Sequence, residues 1–153
     1  MDVATETQTI VREIHIAATP ETIWELLVDP QQAVRWMGTN ATFDVRRGGV
    51  YSVDVIPGHT SRGEFVEIDP PRKLVYTWGW EKNENVPPGS TTIEFELIPK
   101  NDGTLVRFAH RGLPTPQSAA SHMHGWEHYL DRLERVANGN DPGPDPWVAN
   151  PPQ

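Results

Sequence analysis

Cysteine is absent from all 153 residues. That excludes a disulfide framework, thiol catalysis and any metal site built on thiolates. Basic runs are absent too: Lys and Arg number 13 against 21 Asp and Glu, for a formal net charge of −8. A phosphate-binding face needs clustered cations, so nucleic acid is excluded as an expected partner and an anionic membrane surface is disfavoured. No stretch approaches the roughly 18 consecutive apolar residues of a membrane span. Met1 to Gln8 is polar and acidic, without the basic-then-apolar order of a signal peptide. A single-domain cytoplasmic protein is the expectation. No Ser-His-Asp set, phosphate-cradling glycine loop or dinucleotide fingerprint is visible, and neither cofactor nor metal is expected.

What is present begins with one long amphipathic helix, expected over Pro116 to Ala137. At about 100° per residue, Trp126, Leu130, Leu133 and Ala137 form one apolar stripe, flanked by His122, Met123 and Tyr129. Glu127, Asp131, Arg132, Glu134 and Arg135 cover the rest, the pattern of a helix with one buried face. Thr115 suits the cap, Pro116 the first helical position, and Asn138-Gly139 the stop.

Most of the chain before this helix has period two. Ile10, Ile14 and Ile16 share one side of a first strand. Thr19-Pro20 and Asp29-Pro30 each open a short helix, with Gln32 placed for a capping box. Strands follow over Thr42 to Val45, around Tyr51, Val53 and Val55, over Gly63 to Ile68, and around Leu74, Tyr76, Trp78 and Trp80. Two more centre on Ile93, Phe95 and Leu97 and on Val106, Phe108 and His110, joined by the hairpin signal Asn101-Asp102-Gly103. Short turns between strands imply an antiparallel meander, so the fold class is α+β: about seven strands curled around the terminal helix, with two short helices after strand 1. The domain is expected over 1–138. Residues 139–153, rich in Pro and Gly, read as an extended tail pinned through Trp147.

Several pieces then arrive in a recognisable order. They are Ala17-Ala18-Thr19-Pro20-Glu21-Thr22-Ile23-Trp24, Arg35-Trp36-Met37-Gly38, Asp44-Val45-Arg46-Arg47-Gly48-Gly49, Leu74-Val75-Tyr76-Thr77-Trp78, Gly103-Thr104 with His110, and Gly125-Trp126 with Leu130 and Leu133. Together, over about residues 8 to 138, they resemble the bacterial homologues of the heat-shock-protein 90 ATPase activator C-terminal domain, in the START-like (SRPBCC) superfamily. The resemblance implies a helix-grip fold with a cavity between sheet and helix. Relatives in the superfamily bind lipids, hormones or polyketides, and some are cyclases or hydrolases. Met37 stands where many relatives carry a second Trp, and the Pro-rich tail is an extra feature able to cover one end of the cavity.

The candidate ligand contacts are Trp36, Tyr51, Glu67, Tyr76, Trp78, His110, His122 and Trp126. The aromatics would line an apolar pocket or fill a solid core, since aromatic area serves both. His110 shares a face with Val106 and Phe108; it reads as a buried, hydrogen-bonded histidine or as a polar handle on a ligand. Glu67 shares a strand face with Gly63 and Phe65 and is expected to look inward, where it would need a cationic partner. His124, His128 and Asp131 have a metal-like spacing but are expected on a solvated face. Three functions stay open: a binder of a small hydrophobic ligand, the preferred one; an enzyme of cyclase or hydrolase type using His110 or Glu67; and a chaperone ATPase co-regulator. A homodimer is compatible with the sequence.

Overall fold

The structure, a computed structural model, describes residues 7–152. The signal-peptide reading of Met1 to Gln8 therefore lies almost wholly outside the described residues. The elements run β1 (Gln8–Ile16), α1 (Pro20–Val28), α2 (Pro30–Ala33), β2 (Asn40–Phe43), β3 (Val50–Ile56), β4 (His59–Asp69), β5 (Lys73–Trp78), β6 (Thr91–Lys100), β7 (Gly103–Leu113), α3 (Pro116–Ala137) and α4 (Pro146–Ala149). The seven strands form one curved antiparallel sheet in the order β1-β7-β6-β5-β4-β3-β2. From β2 to β7 the chain meanders as expected. β1 sits apart from β2, because α1 and α2 carry the chain across to the opposite edge, and β1 instead pairs with β7.

Local chemistry explains the boundaries. Thr19 and Asp29 cap α1 and α2 through their side chains, and each helix has proline in its first turn. Gln32 does not complete a box; its amide oxygen accepts from Arg35 Nη1 at 2.7 Å. In the β6–β7 hairpin, Lys100 faces Gly103, and Asn101 and Asp102 both take positive φ (51° and 62°), as a tight hairpin turn requires. A capping box starts α3: Ser118 N donates to Thr115 Oγ1 at 3.0 Å, and Thr115 N donates to Ser118 Oγ at 3.1 Å. Asn138 and Gly139 (φ 83°) end the helix.

The core lies between the inner sheet face and α1 and α3. Ile10 and Ile16, Tyr51, Phe65, Leu74 and Tyr76, Ile93 and Phe95, and Val106 and Phe108 meet Trp126, Leu130, Leu133 and Val136 of α3.

Two expectations fail here. Between Phe65 and Glu67 the β4–β5 register slips by one residue, so Val66 and Glu67 both face solvent and Ile68 returns to the core. A bulge reverses the inside–outside alternation that placed Glu67 inward. Glu67 instead lies 3.9 Å from Lys73 Nζ, on the outer surface. Arg132, expected on the polar face, is buried, and its guanidinium donates to the carbonyls of Trp36 (3.1 Å), Arg35 (3.3 Å) and Gly143 (2.9 Å). Backbone carbonyls from α2's end and the C-terminal segment cover this side of α3 and satisfy the charge.

Leu133 is wholly buried where α3 meets the sheet. Leu133→Ala is expected to lower the unfolding free energy by about 2–5 kcal/mol, read as a drop in urea midpoint at unchanged slope.

Candidate functional site

One end of the α3–sheet interface does not close. An open cavity of about 420 Å³ lies there. The β3–β4 hairpin contributes Val55, Ile56, Gly58 and His59, and the end of β5 with the following loop contributes Trp78 and Trp80 to Asn83. The N-terminal half of α3 supplies Ser121, His122, Gly125, Trp126 and Tyr129; Met37 closes one side, and Trp147 and Pro152 of the C-terminal segment another. Gly125 borders the space. It stands in mid-helix, and a Cβ built on it would meet nothing within 4 Å. Along the same face, His122 and Trp126 border one aromatic group and Tyr129 the other. The first group packs Trp78 against Trp80 (5.2 Å between centroids) and Trp126 (5.3 Å). In the second, Trp147 stands edge-on to Tyr129 at 5.7 Å.

The histidines behind this wall are held neutral in single tautomers. Trp126 Nε1 donates to His110 Nδ1 at 3.0 Å. An indole N–H only donates, so Nδ1 accepts and the ring proton sits on Nε2. Nε2 donates to Thr91 Oγ1 (2.8 Å), whose hydroxyl donates to the Trp78 carbonyl (2.7 Å). Burial, with His122 nearby, pushes the His110 pKa down from 6.5 to about 3. His122 repeats the logic one step nearer the cavity: its Nδ1 donates to Ser118 O (2.7 Å) and its Nε2 accepts from Trp80 Nε1 (2.9 Å). Burial again lowers its pKa, despite the Ser118 carbonyl that favours the charged form.

Of the eight candidate contacts, the structure gathers Trp78, His122 and Trp126 on the cavity. Trp36, Tyr51 and Tyr76 are packed core. Trp36 Nε1 donates to Leu26 O at 2.7 Å, and Tyr51 stacks on Tyr76 at 4.1 Å, where burial pushes both phenols far above their usual range. His110 stands behind Trp78 and Trp126, wholly buried, with both nitrogens engaged. Glu67 is on the other side of the sheet. One buried side-chain polar atom among the described residues has no partner within the protein, Trp78 Nε1.

Of the histidine pair expected in solvent, His124 is exposed as expected, whereas His128 is half-covered by the C-terminal segment. Trp147 stacks on His128 at 3.7 Å and lies 5.1 Å from His124. His128 Nε2 and Tyr129 Oη both bond the Asp145 carboxylate, at 2.8 and 2.9 Å. No group of three metal-type ligands occurs among the described residues. Sequence reasoning missed Gly125 and the Asp145 contacts of the tail, while the tail itself, read as pinned through Trp147 and able to cover one end of the cavity, lines it with Trp147 and Pro152. For Gly125 the signal was present: a glycine in mid-helix.

The geometry can now be compared with known proteins. Residues 17–138 match the family described as activator of Hsp90 ATPase homolog 1-like protein. The chain belongs to that family. A solution structure of an AHSA1-like protein from Rhizobium etli is 45% identical, with a TM-score of 0.77, covering 96% of this chain and 92% of that one. CalU16 from Micromonospora echinospora, in its crystal structure, is 26% identical over 83% of this chain and 74% of its own, at a TM-score of 0.68. The Aha1 dimer from Colwellia psychrerythraea shares the fold at 20% identity and a TM-score of 0.75, over 86% of this chain and 96% of its own. No curated protein matches the chain. No helix among the described residues is long and apolar enough to cross a membrane.

Neutral buried histidines make stability pH-dependent. Below about pH 6.5 the unfolded chain takes up protons at His110 and His122 and the folded chain does not, until about 3 for His110. The unfolded state therefore binds more protons, and stability falls as pH drops through this window, by up to ~1.4 kcal/mol per pH unit for His110, with His122 adding in the same direction. Urea titrations between about pH 6.5 and 5 are expected to show this slope, and His122→Gln to make it shallower.

Proposed function

We propose that this AHSA1-like protein binds a small, neutral, largely apolar ligand in the cavity between α3 and the sheet. The observation that carries the reading is the space at Gly125. A glycine within a helix costs about 0.5–1 kcal/mol relative to alanine, and here it faces open volume between two aromatic walls instead of admitting a close backbone. The volume falls within the ~300–1,000 Å³ typical of sites for compact organic ligands. Flat aromatic surfaces on both sides favour a planar ligand body.

The same geometry weighs against the acid–base alternative at the named residues. Both nitrogens of His110 are spent on Trp126 and Thr91, and Glu67 lies on the outer surface. CalU16 shares the fold with sequence identity too modest to carry a ligand across, so the ligand class rests on this cavity.

The test fills the space from the helix side. A panel of planar aromatic compounds is expected to quench tryptophan fluorescence of the unaltered protein in a saturable way. Gly125→Phe is expected to weaken that binding by roughly tenfold or more, equivalent to about 1.4 kcal/mol. Gly125→Ala is expected to raise stability by about 0.5–1 kcal/mol. Equal quenching by the panel in the protein and in Gly125→Phe would refute the assignment.

A further inference from the structure

The family match ends at residue 138, yet the cavity does not. Trp147 and Pro152 form part of its wall. The segment that carries them is held in an unusual way. Among the described residues, 141–152 make no backbone–backbone hydrogen bond to the rest of the protein; their recorded ones, Val148 N to Asp145 O and Asn150 N to Pro146 O, stay within the segment. Its attachment is by side chains, concentrated at one carboxylate. Asp145 is buried, accepts from Tyr129 Oη (2.9 Å) and bonds His128 Nε2 (2.8 Å), both on α3, while its own oxygens also cap Trp147 N (2.9 Å). The Arg132 bond to Gly143 O, the stack of Trp147 on His128, and the packing of the same indole against Tyr129, His124 and the edge of the core add to the attachment.

We propose that residues 141–152 form a detachable wall of the cavity, latched by Asp145 onto His128 and Tyr129, and that opening this wall admits and releases the ligand. The inference rests on the binding reading above for the ligand, and on the latch geometry for the motion. A wall secured by a network of backbone bonds would open only with the fold. This one is secured by a carboxylate, a cation on a carbonyl and the packing of one side chain, Trp147, against His124, His128, Tyr129 and the edge of the core, contacts that can break without a strand or helix hydrogen bond being lost. The proline and glycine content of the segment keeps it from pairing with a strand edge once released. Trp147 is the residue that would meet the ligand, so it also sets which shapes the closed site retains.

The experiment has two arms, both on the full chain. In the first, no ligand is added. The six tryptophans are replaced biosynthetically by fluorotryptophan, and the Trp147 fluorine resonance is assigned from Trp147→Phe. Asp145→Ala is expected to move that resonance to the solvent-exposed position while those of Trp24 and Trp36 stay in place; Tyr129→Phe, which removes one bond and keeps the ring, is expected to shift it part of the way. A Trp147 resonance unmoved in Asp145→Ala would overturn the latch. In the second arm, stopped-flow dissociation of aminoanthracene, a planar neutral fluorophore, is compared between the unaltered protein and Asp145→Ala. Loss of bonds to a buried charged group predicts dissociation faster by roughly tenfold or more. Unchanged dissociation, with Trp147 released, would overturn the wall as the route of exchange. Release of Trp147 with no fluorophore binding to either protein would uphold the latch and count against the binding reading alone.

Discussion

The hydrogen bond from the Trp126 indole to His110 Nδ1 fixes helix to sheet at the point where the rest of the interface is decided. On one side of it, toward Leu130 and Leu133, α3 packs against the sheet and the core is filled. On the other, toward His122, the same helix lifts over an open space. The bond can form only if His110 is neutral and in one tautomer, and burial favours that state. A second imidazole, His122, repeats the arrangement with Trp80. Two indole–imidazole pairs thus pin α3 above the ends of β5 and β7 by directional contacts, where apolar packing would otherwise pull it down.

Much of this was legible in the chain, and for identifiable reasons. The α3 boundaries were readable because Thr115-Pro116 and Asn138-Gly139 are chemical signals, not averages of propensity. His110 was placed inward by simple alternation along β7, and the ordered motifs pointed to the family that residues 17–138 match. Glu67 was misplaced because a bulge adds one residue to β4 without any local marker: Val66 and Glu67 are ordinary strand residues, and only the pairing with Val75 reveals the slip. Trp36, Tyr51 and Tyr76 were grouped with the cavity residues because aromatic character does not distinguish a wall from a core. Distance from the open end does, and distance is not a property of sequence.

The C-terminal segment was the least legible part. Its composition argues against regular structure, and most of it has none, but Asp145-Pro146 caps and opens a single helical turn, α4. Its contacts depend on His128 and Arg132, which helical periodicity alone assigns to solvent. Burial of those two side chains became tolerable only because carbonyls and a carboxylate from elsewhere in the chain meet their donors. A polar residue on the outer face of a helix carries no signal of being covered until the covering chain is known.

Local rules are obeyed through most of the molecule and broken in few places, and those places coincide. A glycine interrupts the best helix of the chain. A buried indole N–H at Trp78 goes without a partner. A tail with no backbone–backbone bond to the rest of the fold is held by the Asp145 carboxylate, the Arg132 bond to Gly143 O and the packing of Trp147. Scattered over a surface, such features would be unrelated accidents of sequence. Here Gly125, Trp78 and Trp147 border one volume of about 420 Å³. Each gives up stability that an alanine, a hydrogen-bonded polar neighbour or a strand-paired terminus would supply. Such losses, concentrated around a single space, are the physical basis on which the proposed binding reading rests.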